Sequence, residues 1–210
     1  MGITERKEKQ KQDIKKMILD ASMKLFIEEG FDNVTMRRIA DIIEYSPTTV
    51  YLYFKDKNEI FFHLHEMGFQ KMLEMNQHLP NITNPLMRLY KMGENYIDFG
   101  MQNQEFYDIM FIQHAPMEAL EQMEDCDWSL GHTALGALQN LLNECMEKGL
   151  IQKAPVEAVA MAIWGMVHGL VSLAIRERMN KLVPKEKLVP MMHTSLNWLL
   201  GTIDNSFIKE

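Results

Sequence analysis

Apolar positions recur along nearly the whole chain with a helical period, and no stretch alternates strictly enough to predict a sheet. About nine helices are expected. The first runs from about Gln12 to Glu29, with Ile14, Ile18, Ala21 and Leu25 on one face and Gly30 placed to end it. A short second, Met36 to Ile43, follows Thr35 as N-cap. A short third, Pro47 to Tyr53, follows Ser46 as N-cap, with proline at the first helical position, where its missing N–H costs nothing. The fourth starts after Asp56, which pairs with Glu59 as a capping box, and continues to about His78 before Pro80. Further helices are expected over Pro85–Gln102, Glu105–Gln113, Met117–Lys148 (with room for a break near Asp125), Pro155–Arg178 and Lys185–Ile203.

The two short helices, joined by a three-residue turn and braced by a longer helix before them, have the pattern of a helix-turn-helix, whose second member enters the major groove of DNA. Ile39, Ala40 and Ile43 form the inner face of the first, Ala40 being small enough for a close crossing. Val50 and Phe54, four apart, form the inner face of the second. Pro47, Thr48, Thr49, Tyr51 and Tyr53 are left outside. Their hydroxyls and methyls suit thymine methyls, base-edge acceptors and phosphate oxygens.

Composition is that of an ordinary globular chain, 47% apolar and 24% charged in 210 residues, with 19 methionines to give an adaptable interior. Charge divides the chain. Residues 1–60 hold 11 basic and 11 acidic side chains, whereas the remainder holds 11 and 18 and carries the whole formal charge of −7. A locally neutral or basic segment can approach phosphates, and an acidic remainder is repelled from them. Cys126 and Cys145 match neither a disulfide framework nor a metal motif, and the charged start has no secretory pattern, which together point to the cytoplasm.

Gly30-Phe31, Val34-Thr35-Met36-Arg37-Arg38-Ile39-Ala40 and Ser46-Pro47-Thr48-Thr49-Val50-Tyr51-Leu52-Tyr53-Phe54-Lys55-Asp56-Lys57 together resemble the N-terminal signature of the tetracycline-repressor (TetR) family, over about Ile14 to Phe62. The resemblance implies an all-α homodimer that binds a palindromic double-stranded DNA operator and commonly leaves it when a ligand binds. Each subunit would have an N-terminal three-helix DNA-binding domain, 1–56, and a C-terminal helical ligand-binding and dimerisation domain, 57–210, with 57–78 as connecting helix. By position, Thr35, Arg37, Thr48, Thr49, Tyr51, Tyr53 and Lys57 become DNA contacts. Arg37 is suited to reading a guanine edge, and Tyr53 and Lys57 to holding phosphates. Glu44 departs from the glycine common in the family's turn. Two plainer readings stay open: Arg37 pairs with Asp41 one turn on, and the tyrosines sit half in the core. The basic start, Arg6 to Lys16, fits either a DNA arm or a solvated terminus.

Residues 158–175 contain no charged side chain, at the threshold for a membrane span. His168, Ser172, the many small residues and the lack of another such segment favour a soluble helix covered on all sides, and no membrane partner is expected. Gly165 and Gly169 there, with Met192, Leu196 and Leu199 of the last helix, are the expected dimer interface, which would hold two reading helices about 34 Å apart for successive major grooves. Tyr96, Phe99, Phe106, Met110, Trp128, Trp164 and His168 are candidates for binding a small apolar or aromatic effector, each with ordinary core packing as its alternative. Control by a protein partner, a metal or a redox change is the competing expectation.

No cofactor or metal is expected. His63 and His65 face opposite sides of a helix, and the acidic run Glu121, Glu124, Asp125, Cys126 and Asp127 reads as a solvated loop. Nor is an enzyme expected. Gly131 to Gly136 begins like a phosphate loop but continues Ala137-Leu138, and neither a nucleophile elbow nor a dinucleotide fingerprint is present.

Overall fold

The computed structural model describes residues 2–113 and 128–205, and these contain nine α-helices and no β-strand beyond one isolated bridge, Ile151 to Asp204. The helices are α1 (Ile3–Glu28), α2 (Met36–Ile42), α3 (Pro47–Tyr51), α4 (Lys57–Met75), α5 (Pro85–Gln102), α6 (Gln104–Phe111), α7 (Ser129–Glu147), α8 (Val156–Ile175) and α9 (Leu188–Ile203). The chain forms two compact units, Met1–Gly68 with Glu105–Asp127, and Phe69–Gln104 with Trp128–Glu210.

One boundary differs well beyond the usual fraying. The first helix begins at Ile3 rather than near Gln12. Residues 4–11 are exposed, but from Glu5 onward they consist of Glu, Arg, Lys and Gln, which lose little rotamer freedom in a helix. The Gly2 N–H also donates to the Glu5 carboxylate at 2.7 Å. The segment expected at Met117 to Lys148 is described only from Ser129, and its earlier part lies outside the described residues.

In the first unit, α1, α2, α3, the start of α4, and α6 share one core. Ile18, Val34, Ile39, Ala40, Val50, Ile60, Phe61 and Ile109 are completely buried in it. Phe26, Phe31 and Phe61 meet in a cluster with ring centroids 4.8 to 5.2 Å apart, edge-on or tilted as ring quadrupoles prefer. Gly30, at φ 81°, lets the chain leave α1 and enter the 3-10 turn Phe31–Asn33.

In the second unit α5 packs against α7, α8 and α9, and α7 against α8. The crossing of α5 and α9 is close because Gly93 has no side chain: a Cβ there would lie 2.7 Å from Leu196 Cδ2. Asn95, buried on α5, donates to the Met75 carbonyl and to Asn76 Oδ1, both at 2.9 Å, and so occupies an acceptor at the end of α4. Arg88 of α5 reaches Glu144 of α7 at 2.7 Å, and Lys148 shares that carboxylate at 2.8 Å. These two cations hold Glu144 below the ordinary carboxylate range, chiefly through their hydrogen bonds.

Candidate nucleic-acid interface

The ends of α2 and α3 are set by side chains present in the sequence for that purpose. Thr35 Oγ1 accepts the Arg38 N–H at 3.1 Å, and Ser46 Oγ accepts the Thr49 N–H at 3.2 Å, each replacing a partner that the first helical turn lacks. Between the helices Glu44 takes φ 59°. The Tyr45 N–H then closes back on the Ala40 carbonyl at 3.0 Å, and the Glu44 N–H on Asp41 at 3.4 Å, the closure that normally uses glycine. A glutamate therefore occupies a left-handed position at a cost of about 1–2 kcal/mol.

This turn seats α3 with Val50 and Phe54 fully buried and its other side open. Thr48 and Tyr51 are exposed, Tyr51 to 54%, while Pro47 and Thr49 are half-buried at the helix start. Thr49 Oγ1 lies 2.9 Å from Ser46 Oγ, so its hydroxyl is engaged locally. Tyr53 packs against the core and is half-buried, as the plainer reading held for it, whereas Tyr51 stands outside. Leu52, unremarked in the sequence, is the most exposed large apolar residue near α3, at 77%.

Thr35 and Arg37 are exposed at the start of α2, and among the described residues Arg37 makes no ion pair with Asp41. Its neighbour Arg38 is taken, with Nε and Nη2 donating to Glu29 Oε1 at 3.1 and 2.8 Å. That hydrogen bond raises its pKa above the ordinary value. Lys57, at the start of α4, is also engaged. Its Nζ donates to the carbonyls of Phe31 at 2.8 Å and Asp32 at 3.3 Å and lies 4.3 Å over the Phe31 ring. A lysine so placed ties α4 to the turn after α1 and keeps little freedom to move toward a phosphate.

The effector candidates divide between the units. Phe106 packs against the first unit's core, and Met110 lies against Gly68 so closely that a Cβ there would force the methionine side chain to shift. In the second unit the Trp164 indole N–H donates to Tyr96 Oη at 3.1 Å, and that oxygen lies 3.3 Å from His168 Nδ1. Burial lowers the His168 pKa. Phe99 is fully buried, and Trp128 stands edge-on to Phe69 with its indole over Gly131. Gly131 and Gly136 are interior to α7, so they form no phosphate loop.

The expected interface residues also divide. Gly165 and Gly169 face open space, and Leu199 is half-buried. Met192 and Leu196 are completely buried in their own unit, so the open side of α9 instead carries Met191 and Trp198, 44% and 72% exposed. On α8 the open stripe runs through Ala158, Met161, Ala162, Gly165 and Leu173. His65 is completely buried, and burial drives its pKa down to about 4. Cys145 is buried and its thiol is pushed up to about 11, which makes it a poor redox sensor. Among the described residues no three metal-ligating side chains gather, and the acidic run at 121–127 lies outside those residues.

Residues 18–64 match the family model for bacterial regulatory proteins of the tetR family, and residues 89–194 match that for the tetracyclin repressor-like C-terminal domain. Solved structures share the fold. A putative TetR-family transcriptional regulator from Syntrophomonas wolfei is 20% identical with a TM-score of 0.71, over 91% of this chain and 96% of its own. The fatty acid degradation regulator FadR from Bacillus halodurans is 18% identical with a TM-score of 0.71, over 89% and 94%. FadR from Bacillus subtilis, in complex with stearoyl-CoA, is 18% identical with a TM-score of 0.69, over 89% and 98%. No curated protein matches.

Proposed function

The chain belongs to the tetR family of bacterial regulatory proteins, DNA-binding transcriptional regulators without enzymatic activity, and we propose that it is a homodimeric repressor released from a palindromic operator by a small, mainly apolar effector. The observation that carries the reading is the two-sidedness of α3 and the turn after it: Val50 and Phe54 sealed inside, Thr48, Tyr51 and Leu52 presented outside. A helix with no partner on that side, capped and held at a fixed turn, is what a major groove accepts. Arg37 supplies the guanidinium fork for a guanine, and Tyr53 and Lys57 brace the unit near the phosphates.

Dimerisation follows from α8. Its buried stripe, Ala160, Ile163, Val167, Val171 and Ala174, is as apolar as its open one, and water is a poor solvent for the open one. A second copy, laying its own α8 and α9 there, covers both with one symmetric operation. Effector sensing is assigned to 57–210, around Tyr96, Trp164 and His168, with DNA reading in 1–56 and α4, which holds residues of both compact units, as the connection. The stearoyl-CoA bound by the Bacillus subtilis neighbour supports a lipophilic class of effector.

Selection of duplexes from random DNA by the purified chain, repeated with saturated and aromatic carboxylic acids and their coenzyme A thioesters, tests the reading. A palindromic site enriched without ligand and lost with one of them is expected. Enrichment that no such compound disturbs removes the effector step, and no enrichment at low salt removes the DNA-reading step.

A further inference from the structure

Base readout by hydrogen bonds needs a fork or an amide: arginine or lysine for guanine, asparagine or glutamine for adenine. Residues 47–54, Pro-Thr-Thr-Val-Tyr-Leu-Tyr-Phe, contain none of these. What α3 offers outward is hydrocarbon and two kinds of hydroxyl. The Thr49 hydroxyl is engaged with Ser46, leaving a methyl to present. Leu52 stays in the helical turn, its N–H donating to the Thr48 carbonyl at 3.2 Å, so Thr48 and Leu52 stand one above the other on the open face. Of the neighbouring cations, Arg38 is held by Glu29 and Lys57 by the carbonyls of Phe31 and Asp32, which leaves Arg37 of α2 for a single guanine and the rest of the half-site to α3 and the turn after it.

From this we infer that α3 reads its half-site chiefly through the C5-methyl groups of thymines, with Leu52 as the residue that sets the preference and Thr48 and Thr49 as its flanking methyl contacts. The inference rests on the proposed operator binding and adds what kind of base edge is read. Leucine at this exposure has no folding role to explain it: at 77% it buries almost nothing in its own unit. Against a thymine methyl it would lose water from both surfaces, the same gain as burying a methylene. Against cytosine it would meet an amino group and a bare C5–H, and leave the amino group's hydrogen bond unmet.

Replacing thymine by uracil removes the methyl and keeps base pairing, so the inference can be tested without altering the protein. The best duplex selected by the full-length chain is remade with each thymine singly changed to uracil, and binding is measured at one fixed salt concentration. Two or three positions per half-site should weaken by about fourfold each, the value of one buried methyl, and the rest should be unaffected. Leu52→Ala should abolish the uracil penalty at one of those positions while keeping it at the others. A selected duplex that binds equally well with uracil at every position overturns methyl readout and leaves operator binding standing. Failure to select any duplex overturns both.

Discussion

Acid should destabilise this protein through His65. The imidazole is fully buried on α4, stacked against Phe62 with ring centroids 6.3 Å apart, and burial depresses its pKa from 6.5 to about 4. The neighbouring Glu66, whose Oε1 is 3.9 Å from His65 Nδ1, is itself pushed upward by burial and so protonates more readily than a free carboxylate. The folded state therefore holds His65 neutral over a range in which the unfolded chain protonates it. Stability from this group is complete above pH 6.5 and is lost as pH falls toward 4. One proton over that interval amounts to about 2 kcal/mol by pH 5 and about 3 kcal/mol below pH 4. Urea unfolding of the wild type and of His65→Leu at pH 7.5, 6, 5 and 4 isolates the contribution, because every other titrating group is common to both. The wild type should lose about 2 kcal/mol more than the variant between pH 7.5 and 5. Parallel slopes, or a His65 ring resonance that titrates near pH 6.5 in the folded protein, would refute the burial argument.

Four further outcomes are expected. Gly93→Ala should lower stability by about 1–2 kcal/mol despite the better helix former, since its Cβ would press on the buried Leu196; Gly93→Ala with Leu196→Ala should cost less than the sum of the two, as a thermal double-mutant cycle would show. Lys57→Met removes two carbonyl hydrogen bonds and the contact with the Phe31 ring, and should reduce the chemical stability of the first unit by about 1–3 kcal/mol. Met161→Glu with Trp198→Glu should leave the helical circular dichroism intact and shift the sedimenting species from dimer to monomer; an unchanged dimer would move the interface elsewhere. Arg37→Ala should weaken operator binding by about 1–3 kcal/mol and relax the preference at one base pair, whereas Arg38→Ala should act mainly on stability through Glu29.

Much of this architecture was legible because periodicity and caps agree. Ile39, Ala40, Val50 and Phe54 are all buried as their spacing requires, and Thr35 and Ser46 both cap as their positions predict. What escaped was information carried by contacts distant in sequence. The positive charge of Lys57 gives no sign that the Phe31 and Asp32 carbonyls, 26 and 25 residues back, are its partners. Leu52 has the same hydrophobicity as a core leucine, and only the tight turn after α3 shows that it points away from the core. On α9 the residues Leu188, Met192, Leu196 and Leu200, strictly four apart, already define the inner stripe. Met192 and Leu196 lie on that inner stripe, so the side of α9 left open in the single chain carries Trp198, which the spacing of its apolar neighbours does not single out.

The early start of α1 changes what its lysines and its one arginine, Arg6, can do. Residues 3–11 continue a helix of 26 residues, so Arg6, Lys7, Lys9 and Lys11 ride on a stiff extension about 13 Å long at ~1.5 Å per residue. A loose tail could search for a narrow groove and bend into it; a rod can only go where its base is aimed. The reach of the DNA-binding unit is thereby bounded by geometry, since these cations move only with the helix that carries them.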